Sequence, residues 1–217
     1  MDAPAEKTRG PLAPASVAGS VARGDLLPAA DAVRAWSLSS LAGHLAEVSD
    51  PGAAPSLTAA ASLILEGQER GELTAWIGLG RSIFFPPDLA EWGIDLEALP
   101  VIRAPGADAA FGAADQLLRS GAFGLVVLDL EDRTRMPLAV QSRLAALARE
   151  HHALLLCLTR KKSGAPSLGP LVSLHGEGRT RRVAFNRFDW QIRIVKDRRG
   201  APGWSHTESC RGTDGLC

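Results

Sequence analysis

Apolar residues along the chain alternate between short continuous runs and longer segments with a helical period. Short apolar runs predict buried strands, and apolar residues three and four positions apart predict helices. The runs predict strands at 45–48, 73–77, 100–103, 123–130 and 153–159. The segments between them predict helices at 56–70, 87–92, 108–120 and 137–152. Strands that alternate with helices are typical of a parallel sheet covered on both faces.

The pattern changes after Thr159, where no segment is long enough to form a crossover helix. Three apolar runs, at 170–176, 181–188 and 190–197, predict short strands separated by turns. Strands joined by short turns pair antiparallel, so we expect them to extend one edge of the sheet. The predicted fold class is therefore α/β, with three layers, a mostly parallel sheet, and antiparallel strands at its C-terminal edge.

The two ends of the chain lack these patterns. Residues 1–25 are rich in Ala, Pro, Gly and Ser without any period, and they predict a disordered N-terminal arm. Residues 26–202 carry all the predicted elements and form the predicted domain. The polar residues 203–217 predict a flexible C-terminal tail.

The composition, with 46% apolar and 22% charged residues, is that of an ordinary globular protein. No apolar run reaches the roughly eighteen residues of a membrane span, and the N-terminus lacks the apolar segment of a secretory signal. The three cysteines have no metal-ligand spacing, so we predict no metal and expect a reducing, cytoplasmic setting.

Charge is unevenly distributed, although Lys plus Arg and Asp plus Glu are both 24. Residues 160–200 contain eleven basic and three acidic residues, 11 − 3 = +8, so the rest of the chain sums to −8. Basic clusters favour phosphate contacts or an acidic protein partner, and both readings stay open. The candidate residues for DNA or partner binding are Arg160, Lys161, Lys162, Arg179, Arg181, Arg182, Lys196, Arg198 and Arg199.

The segment after the first predicted strand has the layout of a phosphate-binding loop without its chemistry. The pattern G-x-x-x-x-G-K-[ST] needs glycines whose N–H groups surround the anion, a lysine, and a hydroxyl for magnesium. Here Asp50 and Pro55 stand at the glycine positions, Ser56 at the lysine position and Leu57 at the hydroxyl position, while Gly52 lies inside the loop.

Each of these changes opposes phosphate binding. The charge changes at Asp50 and Ser56 each amount to about 1–4 kcal/mol at contact distance, and Pro55 removes an N–H donor. Asp129 follows a buried strand, where a magnesium-binding carboxylate would lie. The segment is thus either a nucleotide site that has been lost or an ordinary strand–helix connection.

The wider pattern resembles RecA over roughly residues 26–202. Residues 43–58, "GHLAEVSDPGAAPSLT", are similar to the RecA stretch that ends in the phosphate loop. Residues 119–122, "RSGA", and Asp129 resemble the helix and strand that carry the RecA magnesium carboxylate. Lys196 and Arg198 fall on the two lysines that in RecA reach the nucleotide of a neighbouring subunit.

The chain also departs from RecA at several functional positions. Gly80 stands near the position of the catalytic glutamate, and Thr159 replaces the glutamine sensor. The second DNA-binding loop is reduced to residues 160–169, "RKKSGAPSLG". A short RecA core with a degenerate nucleotide loop is similar to the ImuA family, the RecA-like (SulA-like) accessory proteins of the bacterial inducible mutagenesis cassette.

This resemblance implies a non-catalytic pseudo-ATPase without cofactor in SOS mutagenesis and translesion synthesis. It implies binding to the polymerase-like protein ImuB, indirect contact with an error-prone DnaE-type polymerase, and contact with RecA and DNA near the nucleoid. Two alternatives remain: an ATP- or magnesium-dependent enzyme using Asp129 and Thr58, and a regulator unrelated to DNA.

RecA-fold proteins assemble through an N-terminal segment, so a homo-oligomer is also expected. A weak helical pattern at 25–41 presents apolar residues to a neighbour or to the chain's own sheet. The candidate self-association residues are Leu26, Leu27, Val33 and Trp36.

Overall fold

The computed structural model describes residues 36–52, 54–80, 82, 84–130, 134–185 and 187–211. The predicted N-terminal arm, the candidate residues Leu26, Leu27 and Val33, and the last six residues lie outside these ranges.

Helices and strands alternate through most of the described chain, as the apolar pattern predicts. The helices are α1 (Leu38–Leu41), α2 (Ala54–Glu69), α3 (Pro86–Glu91), α4 (Ala107–Arg119) and α5 (Leu138–Glu150). The strands are β1 (Leu45–Asp50), β2 (Leu73–Gly78), β3 (Val101–Arg103), β4 (Phe123–Asp129), β5 (Leu154–Arg160), β6 (Leu174–Ala184), β7 (Arg187–Asp197) and β8 (Ser205–Arg211).

The strands form one eight-stranded sheet in the order β3-β2-β4-β5-β1-β6-β7-β8. All pairs from β3 to β6 are parallel, and β6–β7 and β7–β8 are antiparallel. The α/β fold class with antiparallel strands at the C-terminal edge is therefore confirmed, and it fits a RecA-like fold.

The core lies on both faces of the sheet because successive strand residues point to opposite sides. Leu154 and Leu156 belong to the apolar cluster that includes residues of α2. Leu155 and Cys157 belong to the cluster on the other face, which includes residues of α4 and α5. This alternation along a fully buried strand gives the three-layer architecture.

The predicted flexible tail is wrong over 205–211, which forms β8 and pairs with β7. Trp204 and Cys210 pack against the apolar cluster that includes residues of α2. The centre of the His206 ring lies 5.2 Å from that of the Trp190 ring. The inward positions are therefore only weakly apolar, and the strand has no apolar run that would predict it from sequence.

The three strands predicted between 170 and 197 are in fact two long strands, β6 and β7. The connecting turn lies within the run 181–188, between the end of β6 and the start of β7, and Val183 and Phe185 are exposed rather than buried. Only Leu174–Glu177 of β6 pairs with β1, so the rest of β6 extends past β1. We call residues 178–193 together with β8 the antiparallel arm.

Candidate functional site

The loop between β1 and α2 is organised around the carboxylate of Asp50. This residue ends β1 and is only 2% exposed. Its Oδ1 accepts a hydrogen bond of 2.9 Å from the backbone nitrogen of Gly52, and its Oδ2 accepts one of 3.0 Å from that of Ser56. Loop and helix-start N–H groups of this kind hold the anion in a phosphate loop. A carboxylate of the chain therefore takes the place of an external anion.

The neighbouring loop residues lack the orientation and chemistry of a nucleotide site. Pro55, in the first turn of α2, is buried and has no N–H to donate. Ser56 is buried, and Leu57 packs against the apolar cluster on the α2 face. The hydroxyl of Thr58 donates to the Ala54 carbonyl at 3.0 Å, which is a bond within the helix.

Asp129, at the end of β4, is also engaged by other side chains. Its Oδ2 accepts a 2.6 Å hydrogen bond from the hydroxyl of Ser82, and its Oδ1 lies 3.8 Å from Nη2 of Arg160. A guanidinium therefore lies beside the carboxylate that would bind magnesium in a nucleotide site. Among the described residues, no group of three or more His, Cys, Asp or Glu side chains is arranged to hold a metal ion.

A cavity of about 450 Å³ remains between the β1–α2 loop, the segment after β5, and β6. Its lining includes the carboxylates of Asp50 and Glu177 and the cationic side chains of Lys161 and Arg179. The cavity thus has two acidic groups near the N-terminal end of α2, and the N-terminal end of a helix carries the positive partial charge that favours phosphate.

The segment after β5, residues 161–170, is held onto the domain by the buried Glu47 in β1. Oε1 of Glu47 accepts hydrogen bonds from the Thr159 hydroxyl at 2.7 Å and from Nζ of Lys161 at 2.6 Å. Its Oε2 accepts one from the backbone nitrogen of Leu168. The Lys161 side chain is only 15% exposed. The ammonium of Lys161, a predicted DNA or partner contact, is thus part of the internal structure.

A second buried carboxylate, Glu177 in β6, holds the same segment. It accepts hydrogen bonds from the hydroxyl of Ser163 and the backbone nitrogen of Gly164. Burial raises the pKa of Glu177, but these two hydrogen bonds and the nearby His175 and Arg179 outweigh it and lower the pKa below its usual value. The segment at 161–170 is therefore structured and fixed at two points.

Three predicted contact residues at the end of β7 bind backbone carbonyls within the domain. Nζ of Lys196 donates to the Gly169 carbonyl at 3.2 Å, and Nη1 of Arg198 donates to the Pro170 carbonyl at 3.1 Å. Nη1 of Arg199 donates to the Ala42 carbonyl at 3.2 Å. Because these acceptors are neutral, they orient the side chains without cancelling their charge.

The exposed part of the predicted basic set lies on the antiparallel arm and beside it. Arg179, Arg181 and Arg182 are exposed on β6, and Lys162 is exposed on the segment after β5. Nη2 of Arg181 lies 3.3 Å from the Asp189 carboxylate, a surface pair with little effect on stability. These four residues lie on β6 and on the segment after β5, whereas Lys196, Arg198 and Arg199 lie at the end of β7 and just after it.

An aromatic group that the sequence analysis missed lies at the tip of the arm. Phe185 is 75% exposed, and the guanidinium of Arg182 lies 5.7 Å from the centre of its ring and 5.9 Å from that of Phe188. Phe185 belongs to an apolar run that predicts a buried strand. Arg182 and Arg187 lie three and two residues from Phe185 in the sequence, and such spacing could have predicted a cation–aromatic cluster on the surface.

Trp36, a candidate self-association residue, packs inside the domain. It is buried, and its indole Nε1 donates to the Ala59 carbonyl in α2 at 3.1 Å. The side chain thus packs on its own domain.

The sheet order and the geometry of the β1–α2 loop together define a RecA-like α/β domain. A family model described as the MT3502 N-terminal domain matches residues 38–163, which is more than half of the chain. The chain therefore belongs to the MT3502 N-terminal domain family. RecA of Picosynechococcus sp. is 33% identical over 87 residues, which are 40% of this chain and 25% of that RecA. The match thus spans about a quarter of the relative's length.

No helix in the described part of the chain has both the length and the apolar character needed to cross a membrane.

Proposed function

We propose that this protein is a non-catalytic RecA-like adaptor in damage-induced, error-prone translesion DNA synthesis, the role of the ImuA family that its sequence resembles. The observation that carries the proposal is the Asp50 carboxylate, which receives the N–H groups that would otherwise hold a nucleotide phosphate. A domain that keeps the RecA-like fold while filling its phosphate loop serves as a scaffold for binding rather than as a motor.

The energetics of the loop support the loss of ATP binding. A phosphate beside Asp50 would meet a like charge, an unfavourable interaction of about 1–4 kcal/mol at contact distance. It would also have to displace the two hydrogen bonds that the carboxylate accepts, each contributing about 1.5–3 kcal/mol because one partner is charged. No lysine side chain compensates at position 56, and Arg160 lies beside Asp129.

The antiparallel arm is the surface that best fits the partners of such an adaptor. Exposed arginines beside an exposed aromatic ring favour an anionic partner with flat groups, such as single-stranded DNA, or an acidic protein surface. In this proposal the arm binds ImuB, which links the protein to the error-prone DnaE-type polymerase. The nucleoid, RecA and a second copy of the chain are further proposed contacts, with modulation of RecA recombination as a consequence.

The proposal is tested by charge reversal on the full chain. The double variant Arg181→Glu, Arg182→Glu is compared with Arg103→Glu, Arg135→Glu, which makes the same charge change at exposed arginines outside the arm. Capture of purified ImuB and binding of a labelled single-stranded oligonucleotide are measured for both. Loss of ImuB capture by the arm variant alone supports the adaptor role. Equal capture of ImuB by wild type and both variants contradicts binding through the arm, and no capture by any of them contradicts the adaptor role.

The second candidate is an ATP-dependent DNA-binding enzyme of the RecA family with an unconventional nucleotide loop. The cavity of about 450 Å³ beside the β1–α2 loop is the observation that favours it. Binding of magnesium nucleotide to the cavity would require Asp50 to leave its present partners, and it is measured directly by nucleotide titration.

A further inference from the structure

A second cavity, of about 350 Å³, lies at the opposite end of β1 from the β1–α2 loop. Its lining includes Gly43 and Leu45 at the start of β1, whereas Asp50 ends that strand. Ser142 and Arg149 line it from α5, and Arg198 and Arg199 from the segment after β7. The connection between β5 and β6 also contributes, so four segments of the chain form the cavity.

Gly43 lies in contact with two of these arginines. Its φ of 71° is in the left-handed region. A Cβ at this position would lie 3.4 Å from Nη2 of Arg199 and 3.6 Å from Cα of Arg149. The guanidinium of Arg199 and the last turn of α5 therefore pack against the same glycine. The Arg199 guanidinium is held beside the Gly43 backbone, and Arg149 contributes an exposed side chain to the cavity lining.

The cavity carries an excess of positive charge. Arg198 and Arg199 donate to the neutral carbonyls of Pro170, Ala42 and Gly43, which leaves their charges in place. Within the described part of the chain, no acidic side chain pairs with the exposed Arg149.

The negative charge near the cavity is smaller than the positive charge of the three arginines. The Asp197 carboxylate accepts from the backbone nitrogen of Arg199 and lines a neighbouring cavity. The C-terminal end of α5 contributes a partial charge of about −0.5. Three guanidinium groups exceed both together. Burial, followed by the charge of Arg199, lowers the pKa of the nearby His44 to about 4, which is consistent with a positive field here.

We propose that this cavity is an oxyanion site that binds a phosphate group through Arg149, Arg198 and Arg199. A tetrahedral phosphate accepts hydrogen bonds from several directions, and guanidinium groups bind it through paired donors. The hydroxyl of Ser142 is exposed on the cavity lining and supplies a further neutral donor. The volume lies in the range of small-ligand sites, which begins near 300 Å³.

This site does not depend on the adaptor role. It lies away from the arm, and of its three arginines the RecA resemblance assigns a role to Arg198 alone. The phosphate can come from a free phosphorylated molecule or from the backbone of a nucleic acid strand. Both sources share the same chemistry, and two experimental arms distinguish them.

The experiment uses the full chain at low salt in a zwitterionic buffer. Inorganic phosphate is titrated by calorimetry, and a labelled oligothymidylate is titrated by fluorescence anisotropy. The variants are Arg149→Gln and Ser142→Glu, both at exposed positions of α5, and the control is Arg103→Gln on β3. Thermal unfolding followed by circular dichroism verifies that each variant is folded.

We expect Arg149→Gln to weaken phosphate binding by about tenfold or more, because a charge-assisted hydrogen bond is lost. Ser142→Glu places a like charge at the cavity and is expected to weaken it further, while Arg103→Gln retains the wild-type affinity. Saturable binding of inorganic phosphate marks a free anion as ligand, and binding of the oligonucleotide alone marks a phosphodiester. Equal affinities in all four proteins, or no binding of either probe to the wild type, overturns the proposal.

Discussion

The Oδ2 atom of Asp50 lies 3.0 Å from the backbone nitrogen of Ser56, so an acidic side chain of the protein occupies the anion position at the start of helix α2. The same carboxylate accepts from Gly52 through its other oxygen. The β1–α2 loop is therefore closed by an internal charge and does not need a bound nucleotide to satisfy its N–H groups.

Removal of this internal anion is expected to destabilise the fold. Asp50→Ala leaves loop and helix-start donors without their acceptor, which costs about 1–2 kcal/mol in the free energy of unfolding. Asp88→Ala, at an exposed aspartate in the first turn of α3, serves as the control and should change it by less than about 0.5 kcal/mol. Urea unfolding measures both. An unchanged midpoint for Asp50→Ala would contradict the role given to the carboxylate.

The pair of adjacent lysines after β5 separates a structural role from a binding role. Lys161→Met removes the partner of the buried Glu47 and is expected to destabilise the protein by about 3–5 kcal/mol. Lys162→Met, at the exposed neighbour, should alter the free energy of unfolding by less than about 0.5 kcal/mol. Chemical denaturation of the two variants tests this, and equal stabilities would mean that the Glu47–Lys161 contact does not hold the segment.

Acid pH is expected to weaken the fold through His44. Burial, with Arg199 nearby, lowers its folded-state pKa from 6.5 to about 4, and its Nδ1 lies 2.8 Å from the Ser173 hydroxyl. The unfolded chain binds the proton more tightly, so stability is full above pH 6.5 and is lost as pH falls from there towards 4. Partial solvent screening limits the loss from this residue to about 1–3 kcal/mol.

Urea unfolding at several pH values measures this linkage. His44→Gln is expected to have a shallower dependence of stability on pH over the same window. Wild type and variant with equal slopes would show that this imidazole is not responsible. The pKa of the buried His175 is also lowered, chiefly by burial, so some dependence in the same direction should persist in the variant.

The exposed ring at the tip of the arm is expected to contribute to binding but not to stability. Phe185→Ala should leave the melting temperature within a few degrees of wild type. If the arm binds single-stranded DNA, loss of one stacking platform should weaken binding by about tenfold. Leu138→Ala, at an exposed apolar residue of α5, is the control. Anisotropy titration is the measurement, and equal affinities for the two variants would exclude stacking by Phe185.

The parallel half of the fold could be predicted because its strands are apolar on both faces. β4 and β5 are nearly continuous apolar runs, and these runs end close to the observed boundaries of the strands. β8 could not be predicted, because an edge strand packs only one face on the core. Few apolar residues make that contact here, namely Cys210 and Trp204, which comes just before the strand. Its position depends on the unpaired edge of β7, a tertiary property.

The residue types of the candidate site could be predicted from the sequence, but the hydrogen-bond partners of those residues could not. The absence of loop glycines and of a lysine is visible in the sequence, whereas the bond from Ser56 to Asp50 depends on the path of the chain between them. Basic residues after β5 look equivalent in sequence. Lys161 differs from Lys162 because strand pairing places Glu47 beside it, 114 positions away.

The nucleotide titration tests the central claim most directly. A fluorescent ATP analogue with magnesium is titrated into the full chain, with and without single-stranded DNA, and the Asp129→Ala variant is measured in parallel. The internal carboxylate predicts no saturable binding up to millimolar nucleotide in any of these samples. Saturable binding to the wild type that Asp129→Ala abolishes would contradict it and would assign the protein to the ATP-dependent enzymes.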